Sequence, residues 1–255
     1  STVAAARLRA MATLFEGAEG SLVKVSWTDK DGKEHAASLR RDWHAREITL
    51  SVRRQGEVGV ISFDAFTSSV AVEFLRALKT SLRGVRGLVI DLRGNGGGEA
   101  EAMAEMASAF LAGGQSLGRF TDRAGRVALE PHARTRMLYG ADEIERNGLP
   151  LVLLTSERTA SAAEIFTAAL REAGRATVVG TNTCGCVLAI RRRHQLPDGG
   201  VLDISEMDYR TAAGTRLEGS GIAPDERVLV ERKDLFNDYD RALALALKLL
   251  KEKNH

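Results

Sequence analysis

The sequence predicts an α/β protein built on a mainly parallel sheet with helices on both faces. Short, continuous apolar runs at Val58–Phe63, Gly87–Leu92, Leu151–Leu154 and Ala176–Gly180 read as strands buried on both sides. Amphipathic stretches at Ala71–Thr80, Glu99–Leu111 and Ala163–Arg171 alternate with them, which is the pattern of strand–helix–strand units. A glycine-dense turn, Asp91-Leu92-Arg93-Gly94-Asn95-Gly96-Gly97-Gly98, follows one of these strands, where open α/β sheets collect ligands.

The elements follow in order along the chain. Val3 to Phe15 carries apolar residues at helical spacing (Ala6, Leu8, Met11, Leu14), and Gly17 and Gly20 end the pattern. Leu22–Thr28 and Glu34–Leu39 read as strands of a hairpin joined by Asp29-Lys30-Asp31-Gly32. Residues 1–41 are thus a helix and a hairpin, too small to hold a core alone. Residues 42–56 form a polar connector with a strand near Glu47–Val52, and the core occupies 57–255. Val187–Ile190 and Gly200–Ser205 predict an antiparallel excursion turning at Pro197–Gly200. Asp238–Lys253 reads as a closing helix that packs on Leu243, Leu247 and Leu250.

Composition excludes several classes. Of 255 residues, 36 are basic and 34 acidic, and this net charge of +2 leaves no nucleic-acid footprint. Arg191-Arg192-Arg193 is the one basic cluster and reads as a solvated strand end. No run approaches the ~20 apolar residues of a membrane span, and no signal peptide is evident. The chain opens inside a helical pattern without Met, as a processed or trimmed product would. Cys184 and Cys186, read as strand neighbours, are not expected to form a disulfide. With no Cys or His nearby to complete four ligands, no metal is expected either. The glycine turn lacks the lysine of a phosphate loop and the spacing of a dinucleotide loop, so no cofactor is expected.

The run Thr155–Ile165 carries the chemistry. It joins an apolar strand to a helix and places Ser161 between small residues at the helix start, where backbone N–H groups favour developing negative charge. The same pattern is also that of an ordinary helix cap. The third element of the pattern is the turn Gly219–Asp225.

Together these segments resemble the carboxyl-terminal processing (tail-specific) proteases, the S41 serine peptidase family. The family's D-L-R-x-N-x-G-G, S-A-S-A-x-E-I, R-A-x-x-V-G, L-P-D-G-G and G-I-x-P-D patterns match Asp91–Gly98, Thr159–Ile165, Arg175–Gly180, Leu196–Gly200 and Gly221–Asp225, in that order. The resemblance covers about residues 55–230 and implies the family's crotonase-like α/β core. Residues 1–41 resemble the trailing half of a PDZ domain; the leading half, with the strand that pairs with a peptide terminus, is not in this sequence.

The resemblance implies peptide hydrolysis through an acyl-enzyme. Ser161 would be the nucleophile, and the backbone N–H groups of Gly97 (or Gly98) and Ala162 would form the oxyanion hole. It further implies a polypeptide substrate recognised at its C-terminus, and a place in the cell envelope or periplasm or outside the cell. It carries no implication about oligomeric state.

One departure matters. The family's usual base is a Lys in T-x-G-K-G, supported by a Gln four residues on; here Cys186 stands at the Lys position and Ile190 at the Gln position. Cys186 is then either an unusual base or a small buried apolar residue. Other branches use a His, for which His132 is the free candidate; an inert loop residue is its alternative. His194 would lie about 26 Å from Cys186 along a straight strand. Glu218 could orient a His or stand as a surface residue. Without a base the chain would be a peptidase-like peptide-binding protein. An acyl-CoA enzyme on the same core is disfavoured by the Pro-Asp motifs and by the lack of a basic patch for nucleotide phosphates.

Overall fold

The computed structural model of the protein describes residues 6, 10–11, 13–42, 50–134 and 148–253, with the backbone alone for 190–192. The helix expected over Val3–Phe15 and the start of the strand expected near Glu47 lie largely outside these residues.

The hairpin forms as expected, with β1 (Leu22–Thr28) antiparallel to β2 (Glu34–Arg40). Asp29 fixes its turn by accepting from the Asp31 and Lys33 amides. This two-stranded sheet is separate from the others. Arg232 reaches it with a hydrogen bond to the Asp29 carbonyl at 3.3 Å.

The core follows as β3 (Leu50–Gln55), β4 (Val58–Phe63), α1 (Ser68–Lys79), β5 (Gly87–Asp91), α2 (Ala100–Ala107), β6 (Arg119–Thr121) and β7 (Val127–Leu129). It continues with β8 (Leu151–Thr155), α3 (Ala162–Glu172), β9 (Ala176–Gly180), β10 (Ala189–Gln195) and β11 (Val201–Arg210), and ends with β12 (Glu226–Arg227), α4 (Arg232–Phe236) and α5 (Arg241–Glu252).

Six strands form the central sheet in the order β12-β9-β8-β5-β4-β3. All neighbours run parallel except β3, which pairs antiparallel with β4. The core sheet therefore begins at residue 50, inside the stretch expected to be a connector. Helices cover both faces. On one face α1, α2 and α3 bury Phe74, Met103, Met106 and Phe166 against Ile61, Ile90 and Leu153. On the other, α5 lays Leu243, Ala246 and Leu250 on Val60, Val89, Val152 and Val179. Strands covered twice must be apolar on both sides, which is why they read as unbroken apolar runs.

Caps and motifs fix the helices. Thr67 caps α1 by accepting from the Val70 amide, and Asp240 caps α5 by accepting from Leu243. Asp225, of the closing Pro-Asp motif, accepts from the β9 amide of Val178 and from Arg171 near the end of α3. The excursion after β9 is antiparallel as expected, with β10 on β11 and a turn closed by Leu196 and Gly200. The unexpected partners are β6 and β7, which extend this layer to four strands in the order β10-β11-β6-β7. Each is three residues long and lies in a segment too polar to announce itself.

Candidate active site

The loops that end β5 and β8 meet at the carboxyl ends of two adjacent parallel strands. Side chains of the second loop pin the backbone of the first. Thr159 donates its hydroxyl to the Leu92 carbonyl at 2.7 Å, and Ser156 donates to the Arg93 carbonyl at 2.7 Å. The Ala160 amide donates to the Asn95 carbonyl at 3.1 Å. Asn95 is fully buried. Its amide group donates to the Phe63 carbonyl at 3.1 Å, while its side-chain oxygen accepts the Gly97 N–H at 2.8 Å.

Ser161 stands at the head of α3 with φ 55° and ψ −123°, one of two described non-glycine residues at positive φ. Such a conformation costs on the order of 1–3 kcal/mol and persists only where its surroundings hold it. Gly97 is one of the groups that hold it: a Cβ on Gly97 would stand 2.7 Å from Ser161 Cβ and 3.0 Å from the Ala162 nitrogen. The backbone there also has φ +104°, so only glycine fits without strain.

Two N–H groups beside the serine have no partner among the described residues. They are those of Ala162, the first helical residue, and Gly98. The expectation that Gly97 lends its N–H therefore needs correction, because Asn95 already engages it, and Gly98 is the donor left available. The Ser161 side chain faces the backbone of Glu164 in a capping-box arrangement, without a full cap hydrogen bond.

The segment at the position of the usual base is not a strand, and Cys184 and Cys186 are joined as a disulfide. A strand would set alternate Cα atoms about 6.6 Å apart. Gly185, at φ +65°, folds the chain back so that the two Cα atoms lie 5.2 Å apart. The expectation of unpaired cysteines is thus overturned, and with it a base role for Cys186 in this form. A disulfide sulfur has no thiolate with which to accept a proton.

Glu164 organises this loop. Fully buried at the third position of α3, it accepts from the Gly185 and Cys186 amides at 2.8 Å each, from the Thr183 hydroxyl, and from the Ser161 amide at 3.2 Å. Burial pushes its carboxyl upward from the ordinary value, and these donors work against that push. Ser161 N–H also donates to the Cys186 carbonyl at 3.0 Å, which brings the cysteine loop directly against the serine. From the far side, the Gly219 amide donates to the Gly185 carbonyl at 2.9 Å, so the closing Gly-Ser-Gly turn braces the same loop.

The other candidates fall elsewhere. Glu218 accepts from the Val187 and Leu188 amides at 2.8 and 3.2 Å, so it holds the end of the cysteine loop. His132 forms a bridge with Ser116 and lies 3.9 Å from the Glu130 carboxylate. His194, on β10, faces Glu206 of β11 at 3.5 Å. Ile190 lies on β10, its side chain outside the described atoms. No group of three His, Cys, Asp or Glu among the described residues could hold a metal ion. Among them, too, no helix is long and apolar enough to cross a membrane.

Sequence reasoning missed Asn95 and Glu164 as parts of the site. The signal for Glu164 was present: an acid three residues after a helix-capping serine is a capping-box pattern. Arg93 is a third such residue. It donates to both oxygens of Asp91 and to both of Asp240, tying the glycine loop to the head of α5. Burial works to raise the Asp240 carboxyl, but the bonds from Arg93 and Leu243 outweigh it and hold it below its usual value.

A cleft of about 1080 Å³ opens between the β6–β7 turn and β11, with Leu188, two residues beyond Cys186, on its wall. Thr121, Asp122, Met207, Asp208 and Arg216 complete its lining near that point.

Residues 57–228 match peptidase family S41. A "Probable CtpA-like serine protease" of Staphylococcus aureus (strain COL) is 30% identical over 213 residues, which is 82% of this chain and 40% of that protein. The protein of the same description from Staphylococcus saprophyticus is 26% identical over 225 residues, or 87% of this chain and 43% of that protein. The chain thus spans about two fifths of the length of these relatives. Among solved structures, the photosystem II D1 C-terminal processing protease superposes with a TM-score of 0.63 at 23% identity, covering 87% of this chain and 59% of that one. Mature CPAF complexed with lactacystin superposes with a TM-score of 0.62 at 14% identity, covering 93% and 57%. These likenesses show the fold, and the sequence match shows the lineage: the chain belongs to peptidase family S41.

Proposed function

We propose that this chain is a serine-type endopeptidase of the C-terminal processing kind, cleaving peptide bonds through an acyl-enzyme on Ser161. The observation that carries this is the setting of Ser161: a strained turn at a helix start, packed on Gly97, beside the unpartnered N–H groups of Gly98 and Ala162. In the reaction, Ser161 Oγ adds to the scissile carbonyl and the two N–H groups receive the oxyanion. Each such donor is worth about 3 kcal/mol of the barrier. The cleft beside Leu188 supports a polypeptide substrate, bound in extended form along the cleft.

A second reading has one observation in its favour. With Cys186 in a disulfide, no proton acceptor stands at the position of the usual base, and the chain would bind peptides without cleaving them. Base assistance is worth roughly 10²–10⁴-fold.

Residues 1–41 are proposed as the trailing part of a PDZ-like module that recognises a substrate C-terminus; the separate β1–β2 sheet supports this. A cell-envelope or secreted location is proposed as well, supported by the disulfide, which persists in oxidising compartments.

The test is proteolysis of an unfolded polypeptide such as reduced, alkylated casein, with and without dithiothreitol, read by mass spectrometry of the products. Cleavage in either condition that disappears in Ser161→Ala supports the peptidase. Binding without cleavage in both conditions overturns it in favour of the second reading.

A further inference from the structure

We propose that the Cys184–Cys186 disulfide is a redox-controlled proton acceptor: a dithiol reductant opens it and so frees the Cys186 thiolate to activate Ser161. This rests on the peptidase reading above and adds to it a regulated catalytic residue.

Four observations lead here. The pair closes a loop of one intervening residue, directly against the serine, since the Cys186 carbonyl accepts the Ser161 N–H at 3.0 Å. Several backbone ties of this loop do not involve sulfur. Cys184 N–H donates to the Thr159 carbonyl, Gly185 and Cys186 donate to Glu164, and the Gly185 carbonyl accepts from Gly219. These backbone bonds do not depend on the S–S bond, so they can hold the loop against the serine when it opens. The two residues also differ in exposure: Cys184 is 5% exposed, whereas Cys186 is half-buried and is the more open to an incoming thiolate. Finally, the Ser161 side chain makes no full cap hydrogen bond to the head of its own helix, which leaves its hydroxyl proton for another acceptor.

The steps balance as follows. The dithiol breaks the Cys184–Cys186 bond by thiol–disulfide exchange, gives up two electrons and two protons, and departs as its own disulfide. Cys184 and Cys186 become thiols. The Cys186 thiol loses its proton to solvent, aided by its place beside the N-terminus of α3. Its thiolate then takes the Ser161 hydroxyl proton as Oγ bonds to the scissile carbonyl carbon. That proton passes to the leaving amine as the C–N bond breaks. Water, deprotonated by the same thiolate, hydrolyses the ester and restores Ser161.

The experiment poises the full chain at a series of oxidised-to-reduced dithiothreitol ratios. Free thiols are counted by alkylation and intact mass, and labelling of Ser161 by a fluorophosphonate is timed on the same samples. The expected result is zero thiols without reductant and two with it, with the labelling rate rising at least about 10²-fold in proportion to the reduced fraction. Cys184→Ser, which leaves Cys186 free, should label fast without reductant, and Cys186→Ser should label slowly in both states. The wild-type titration stands even if a variant fails to fold. Free thiols in the untreated protein, or equal Ser161 labelling in both redox states, overturns the switch and leaves the peptidase intact. Absence of Ser161 labelling in every state overturns both.

Discussion

Gly97 and Ser161 face each other with no room for a side chain between them: a Cβ on Gly97 would come within 2.7 Å of Ser161 Cβ. The contact joins two loops that are far apart in sequence and fixes where the serine stands relative to the Gly98 and Ala162 amides. Gly97→Ala is therefore expected to push the serine turn away and to strain its own backbone at φ +104°. The expected cost is about 1–3 kcal/mol in urea unfolding, together with loss of fluorophosphonate labelling at Ser161. A variant that unfolds like the wild type and labels at the same rate would refute the contact's role.

The positive φ of Ser161 gives a second prediction, in which stability and function part company. Ser161→Gly removes the strain of a side chain at φ 55°, and the fold should gain about 1 kcal/mol while peptidase activity is lost. Ser161→Ala keeps the Cβ and should gain nothing. Equal stability of the two variants would show that the turn is not strained.

How much of this was legible in the sequence follows from burial and from backbone freedom. The parallel strands showed themselves because each is covered on both faces, so that Val58–Phe63 and Leu151–Thr155 could not alternate with polar residues. The strand-to-helix turn at Ser161 showed itself through the small residues around it. The disulfide did not, because Cys-Gly-Cys looks the same whether Gly185 is extended or at φ +65°, and only the second brings the sulfurs together. The capping-box spacing ties Glu164 to Ser161, but nothing local announces that Thr183, Gly185 and Cys186 will converge on it from 19 to 22 residues away. Glu218 was mistaken for a surface acid or a partner of histidine for the same reason: its partners are backbone amides.

The Arg93–Asp240 pair predicts a pH dependence. The Asp240 carboxyl is held below its ordinary 3.8 in the fold, so its contribution is complete above that value and is lost as the pH falls through the lower folded-state value. Asp240→Asn keeps an acceptor to cap α5 and loses the charge facing Arg93. Because both partners are partly exposed and screened, the expected cost at pH 7 is about 1 kcal/mol. Urea unfolding of the two proteins at pH 7 and pH 3 should show the gap narrowing at the lower pH. A gap that is constant or widens would contradict the assignment.

The central claim, that Ser161 is the nucleophile, is tested most directly by locating a covalent adduct. The chain, reduced with dithiothreitol, is treated with a fluorophosphonate, digested, and mapped by tandem mass spectrometry. The account predicts one adduct, on Ser161, that disappears in a folded Ser161→Ala variant. An adduct on another residue, undiminished in Ser161→Ala, or no adduct on a folded sample in either redox state, would contradict it.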